Sequence, residues 1–205
     1  MTTTANHRAA LRILYAAVAL GLATAGAPQT AALPQAAASP ASCLPGERGF
    51  LRASLRGAID AELDWRGGAL QCEGGARPDG RGLRVSFLGP ADERGRRLRI
   101  VFGIAVPPGA ARSGSAGTNV TVIFEGENRV YATRGDERCA IDKLVQEPLA
   151  GDDAAAGHSY RVAARGYCVD PASLVNGGGH LYINRFDFAG IARFEDNELH
   201  ADTST

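Results

Sequence analysis

Between positions 51 and 65 apolar or small residues hold every odd place, Leu51, Ala53, Leu55, Gly57, Ile59, Ala61, Leu63 and Trp65, while Arg52, Ser54, Arg56, Ala58, Asp60, Glu62 and Asp64 alternate with them. A period of two predicts a strand with one face on a core and the other in water. Leu51, Leu55, Ile59 and Leu63 also fall four apart, as on a helix. Gly57 would cost that helix, however, and the three acids would spread over several of its faces. The same period recurs at Leu83, Val85 and Phe87, and then at Leu98, Ile100, Phe102, Ile104 and Val106. In the second of these runs the alternate residues Val101, Gly103 and Ala105 are also apolar or small, which predicts a central strand. Val120, Val122 and Phe124, a turn at Gly126-Glu127-Asn128 and the returning Val130-Tyr131-Ala132-Thr133 predict a hairpin. Shorter or weaker strand patterns cover 69–72, 140–147, 160–165 and 181–194, the last with Tyr182, Phe186 and Phe188 on one side. Glycine, proline and acidic clusters punctuate these runs at 66–68, 73–80, 107–117, 152–157 and 176–179. One helical turn fits 170–174.

About eight to ten short strands with barely a helix predict an all-β fold, an antiparallel β-sandwich with jelly-roll-like topology spanning residues 43–194. Gly57 in the first predicted strand and Gly190 in the last suit adjacent terminal strands, bent by a bulge or crossing a tight curve. A membrane barrel would show aromatic girdles and unbroken apolar alternation. Aromatics here are 6% of the chain.

The 205 residues hold 22 basic and 22 acidic side chains. That balance gives nucleic acid or an anionic membrane no electrostatic attraction. At the amino terminus His7, Arg8 and Arg12 precede a short apolar run, 13–22, that ends in small residues. This predicts a signal peptide over 1–25, cut after Ala25 or Ala27, and therefore an exported protein with no integral membrane span once mature. Residues 26–42 carry no charge and no periodicity and read as an Ala/Pro-rich flexible linker; 195–205 reads as a polar tail.

Four cysteines, Cys43, Cys72, Cys139 and Cys168, in an exported chain favour disulfides over thiols. Three pairings are possible, and sequence proximity favours Cys43 with Cys72 and Cys139 with Cys168. Loops of that length contribute about 3 to 4 kcal/mol each. No two cysteines have the close spacing of a zinc site, and the histidines are isolated, so neither metal nor cofactor is expected. A lipid on Cys43 would anchor the chain, but Pro40-Ala41-Ser42 before it lacks the large aliphatic residue that such a site requires. The ordered series Cys72, Arg77-Pro78-Asp79-Gly80, Gly82-Leu83-Arg84, Phe87, Asn119-Val120-Thr121, Glu125-Gly126, Cys139, Gly166-Tyr167-Cys168 and Phe186-Asp187-Phe188-Ala189-Gly190 resembles a group of small exported bacterial proteins of uncharacterised function. The resemblance implies export and one β-rich domain, and it carries over no catalytic residue.

No G-x-S-x-G, H-E-x-x-H or P-loop signature is present. The leading expectation is a non-catalytic exported protein that binds an envelope or extracellular ligand or serves a structural role there. Its candidate binding residues are Arg77, Asp79 and Arg81, in a loop that a disulfide would hold and that offers guanidinium donors to a carboxylate or to sugar hydroxyls. The competing expectation is a polysaccharide hydrolase drawing two carboxylates from Asp60, Glu62, Asp64, Glu125, Glu127 and Asp187. Asp60, Glu62 and Asp64 fit a solvated strand face better, and Asp187 fits a cross-strand ion pair. Trp65, Tyr131, Tyr160 and Tyr182 could stack on sugars, although aromatics at alternating positions usually pack in a core. Asn119-Val120-Thr121 matches a glycosylation acceptor at the start of a strand.

Overall fold

The computed structural model describes Cys43, Leu44, Gly46 and residues 48–110, 112–149 and 158–195, with backbone alone for 112–115. All of these fall within the unit Ala38–Thr205. The expected signal peptide, the linker and all of the tail except Glu195 lie outside the described residues.

Eleven strands follow in order: β1 Phe50–Gly57, β2 Ala61–Arg66, β3 Gln71–Ala76, β4 Leu83–Leu88, β5 Arg97–Ile104, β6 Arg112–Glu125, β7 Arg129–Ala132, β8 Cys139–Pro148, β9 His158–Cys168, β10 Ala172–Leu174 and β11 His180–Phe194. Every pairing is antiparallel. One half of the sheet runs β2-β1-β11-β9-β8 and the other β3-β4-β5-β6-β7-β10. The two halves are laced together by two long strands that change partners along their length. β6 pairs β8 near its start and β7 near its end, and β11 pairs β10 near its start and β9 near its end. β6, β8, β9, β11, β10 and β7 therefore close a circuit, with β2 and β3 left as outer strands.

The antiparallel all-β sandwich expected from the sequence is what the chain forms. The first strand lies beside the last, from Phe50 opposite Ala189 to Gly57 opposite Leu181. Between the halves sits a cluster of rings, Phe87 of β4 and Phe102 of β5 against Phe186 and Phe188 of β11. The Phe102 and Phe188 centroids are 4.5 Å apart, Phe102 and Phe186 4.8 Å, and Phe87 and Phe188 5.1 Å. All four are buried. Gly190 marks a close approach here, since a Cβ on it would lie 2.7 Å from both Phe87 and Val85. The space required lies between the two halves, and the β11–β9 pairing runs through this position without a bulge.

The run 51–65 is two strands, not one. Gly57, at a φ of 103°, turns the chain, and its N–H donates to the Asp60 carboxylate at 3.1 Å. Leu51 faces Trp65, Ala53 faces Leu63 and Leu55 faces Ala61. Odd residues thus meet odd residues across the hairpin, so the alternation passes through the turn unbroken and reads as one strand. Residues 172–174 are a strand, β10, because their backbone is taken up by β7 and β11 instead of by a helical turn. The stretch 107–117, expected as a flexible link, already belongs to β6 from Arg112, where it pairs with β8.

Both favoured disulfides are formed, Cys43 with Cys72 and Cys139 with Cys168. The first ties the chain ahead of β1 to β3, and the second joins directly opposed residues of β8 and β9. The Cys43 sulfur is therefore bonded and has no thiol to carry a lipid. Among the described residues no helix is long and apolar enough to cross a membrane.

Candidate functional site

The loop after β3 places Arg77, Asp79 and Arg81 together, but they face one another. Arg77 is 8% exposed. Its guanidinium donates to Asp79 at 2.7 Å and to Asp136 at 3.0 Å, and Asn119 donates to the same Asp136 oxygen at 2.7 Å. Asp79 also accepts the Arg81 backbone N–H at 3.0 Å and the Arg81 guanidinium at 3.1 Å. That backbone hydrogen bond, reinforced by the Arg81 and Arg77 side chains, holds the Asp79 carboxyl below its usual range. Arg77 is thus a buried tie between two loops, while Arg81 stays exposed. The Asn119 amide, the would-be glycan acceptor, is spent on the same network.

Of the carboxylates considered for hydrolysis, Glu62, Asp64 and Asp187 lie together on the β2-β1-β11 face, and Glu125 and Glu127 lie apart from them. Glu125 accepts from Arg99 at 2.6 Å, and Glu127 accepts from Arg129 at 2.6 Å. Both belong to the β5–β6–β7 half, whereas Asp187 lies in β11. Glu62 is held below the usual carboxylate range by hydrogen bonds from Arg56 and Ser54, and Asp64 by one from Arg66. A general acid needs the opposite shift. Asp187 sits between Arg52, at 3.9 Å across to β1, and Arg165, at 4.0 Å across to β9, which is the cross-strand pairing expected for it.

A different surface emerges on the outer face of β2-β1-β11-β9-β8. Two irregularities in pairing lie at one level of this sheet. Between β1 and β11, Ser54 opposes Arg185 and Leu55 opposes Ile183, so Asn184 is an extra residue. Between β8 and β9, Ile141 opposes Gly166 and Lys143 opposes Arg165, so Asp142 is an extra residue. The two bulges are linked through β9, where Gly166 also opposes Phe186. Each leaves two successive polar side chains exposed between inward apolar ones: Asn184 and Arg185 between Ile183 and Phe186, and Asp142 and Lys143 between Ile141 and Leu144. Bulges bend a strand and re-aim its side chains.

At this level the face holds an open groove of about 1040 Å³, reaching from Glu62 and Asp64 on β2 to Asp142 on β8. Arg52, Ser54, Arg165, Tyr167, Asn184, Arg185 and Asp187 line its length. A smaller hollow of about 360 Å³ adjoins it, sharing Arg165 and Asp187. Tyr167 is 40% exposed and Tyr182 48%. The Arg165 side chain is 67% exposed, with Asp187 its long-range partner, and Arg185 has no ion-pair partner among the described residues.

Tyr182 does not share a side with Phe186 and Phe188, as simple alternation predicts. The extra Asn184 reverses the parity, sending Tyr182 outward while both phenylalanines stay buried. Of the other aromatics considered for stacking, Trp65 and Tyr131 are buried, and Tyr160 packs edge-on against Phe194. Tyr167, Asn184, Asp142 and Arg165 are not among the candidates that the sequence singles out. For Asn184 and Asp142 the signal is the three-residue spacing of inward apolar residues, Ile183 to Phe186 and Ile141 to Leu144, where a regular strand has two; Arg165 and Tyr167 lie in a regularly alternating strand and carry no such mark.

Fold and groove together define a disulfide-stapled antiparallel β-sandwich with a polar, tyrosine-edged depression on one sheet face. Comparison with known proteins found no family model, no curated protein and no solved structure that matches the chain.

Proposed function

We propose that this is a non-catalytic, exported binding protein whose ligand site is the bulged groove on the β2-β1-β11-β9-β8 face. The observation that carries the reading is the alignment of two independent bulges at one level of one sheet. Each adds an unpaired polar residue to the same depression. Bulges next to binding sites are features that re-aim side chains, and a sheet used only as a wall has no need of two in register. Export is supported by the basic and apolar amino-terminal pattern, and two disulfides are consistent with an oxidising compartment. The loop of Arg77, Asp79 and Arg81 is a weaker candidate, because its buried guanidinium is already engaged on both sides.

Sedimentation of the mature protein with insoluble envelope from its native host tests this. The double variant Arg165→Ala/Arg185→Ala is expected to keep its melting temperature and lose binding. Binding that survives in this variant but is lost in Arg81→Ala would move the site to the loop.

A further inference from the structure

The side chains of the groove select among ligand chemistries. Glu62, Asp64, Asp142 and Asp187 stand against Arg52, Arg165 and Arg185, so carboxylates slightly outnumber guanidiniums. Such a surface has no field for a polyanion. It does offer donors and acceptors side by side, with Asn184 able to act as both. A ligand rich in hydroxyl groups, each donating and accepting, satisfies that mixture; a ligand carrying one sign of charge does not.

Shape narrows the class further. The groove crosses five strands, four spacings of about 4.8 Å, and so runs about 19 Å across the sheet. It is open along that length and cannot enclose a small molecule as a closed pocket does. An extended chain suits it. A peptide added as a strand would need free backbone groups at a sheet edge. Here the central strands β1, β11 and β9 have neighbours on both sides. What the face presents instead is side chains, with the exposed ring of Tyr167 one residue beyond the Gly166–Phe186 pair, in the groove that Arg185 also lines. A tyrosine ring gives a flat apolar surface with a polar tip, which matches the alternation of C–H faces and hydroxyl edges on a sugar ring.

We infer that the ligand is an uncharged or nearly uncharged polysaccharide strand lying across the sheet, stacked on Tyr167 and hydrogen-bonded by Arg185, Asn184 and Asp142. This rests on the groove being the binding site, and the two claims fail differently.

The probe is insoluble envelope from the native host, used untreated, protease-digested or oxidised with periodate, which cleaves vicinal diols. Binding of the mature protein is expected to survive protease, to persist in about 1 M salt, where screening is nearly complete within a few Å, and to vanish after periodate. Tyr167→Ala and Arg185→Ala are each expected to weaken it about tenfold with the melting temperature unchanged, and Tyr167→Phe, which keeps the ring, to retain most of it. Binding that these variants weaken but that protease abolishes and periodate spares overturns the saccharide and leaves the groove as the site. Loss in high salt points to a polyanion and overturns the uncharged strand. Binding indifferent to all groove variants, or no binding at all, overturns both claims.

Discussion

Arg77 is the residue whose role differs most from its appearance in the sequence. In a Pro-Asp-Gly turn it looks like a free surface donor, yet it is buried and held by Asp79 and Asp136. Asp136→Ala leaves Arg77 with Asp79 alone and Asn119 without its acceptor, and should cost about 1 to 3 kcal/mol in denaturant unfolding; Arg81→Ala, at an exposed position, should cost about 0.5 or less. Asp79 adds a dependence on pH. Its folded carboxyl titrates below the unfolded one, so its stabilisation is complete above the ordinary carboxylate range and disappears as pH falls through the lower folded value. Melting temperature should drop as pH is lowered below about 4, and Asp79→Asn should flatten that slope. The turn itself was legible, because Pro78-Asp79-Gly80 fixes it locally. The burial of Arg77 was not, because Asp136 arrives from a distant loop.

At the scale of elements, the strands were readable wherever alternation was regular and became ambiguous where parity broke or was preserved by accident. The β1–β2 turn preserves it, so two strands read as one; the bulge at Asn184 breaks it, so alternation alone puts Tyr182 on the side of Phe186 and Phe188 although it faces outward. Deleting Asn184 would restore simple alternation, Ile183 inward, Arg185 outward and Phe186 inward. That deletion is expected to fold with its disulfides intact while losing envelope binding, as checked by circular dichroism and sedimentation. If binding persists, the bulge does not shape the site. In the core, Phe188 touches the rings of both Phe87 and Phe102. Phe188→Ala should cost about 3 to 5 kcal/mol, seen as a lower denaturant midpoint at unchanged slope.

Over the whole molecule, the closed circuit of β6, β8, β9, β11, β10 and β7 depends on contacts remote in sequence; the Cys139–Cys168 disulfide ties β8 to β9 within it, and Cys43–Cys72 ties the outer strand β3 to the chain ahead of β1. The all-β class and both cysteine pairs could be read from periodicity and proximity, since each is a local property. The lacing of the halves could not, since it depends on β6 and β11 exchanging partners midway along their length. Reduction of either disulfide should lower stability by about 3 to 4 kcal/mol in the chain-entropy account, measured by comparing unfolding of the Cys43→Ser/Cys72→Ser and Cys139→Ser/Cys168→Ser variants with the parent. Three of the groove's five strands, β11, β9 and β8, belong to that circuit. The most direct test of the groove is an amide chemical-shift titration of the mature protein with soluble oligosaccharides released from the native host's envelope. Perturbations concentrated at 140–143, 165–167 and 184–187 are the predicted result. Perturbations confined to 77–81, or none at saturating oligosaccharide, would contradict it.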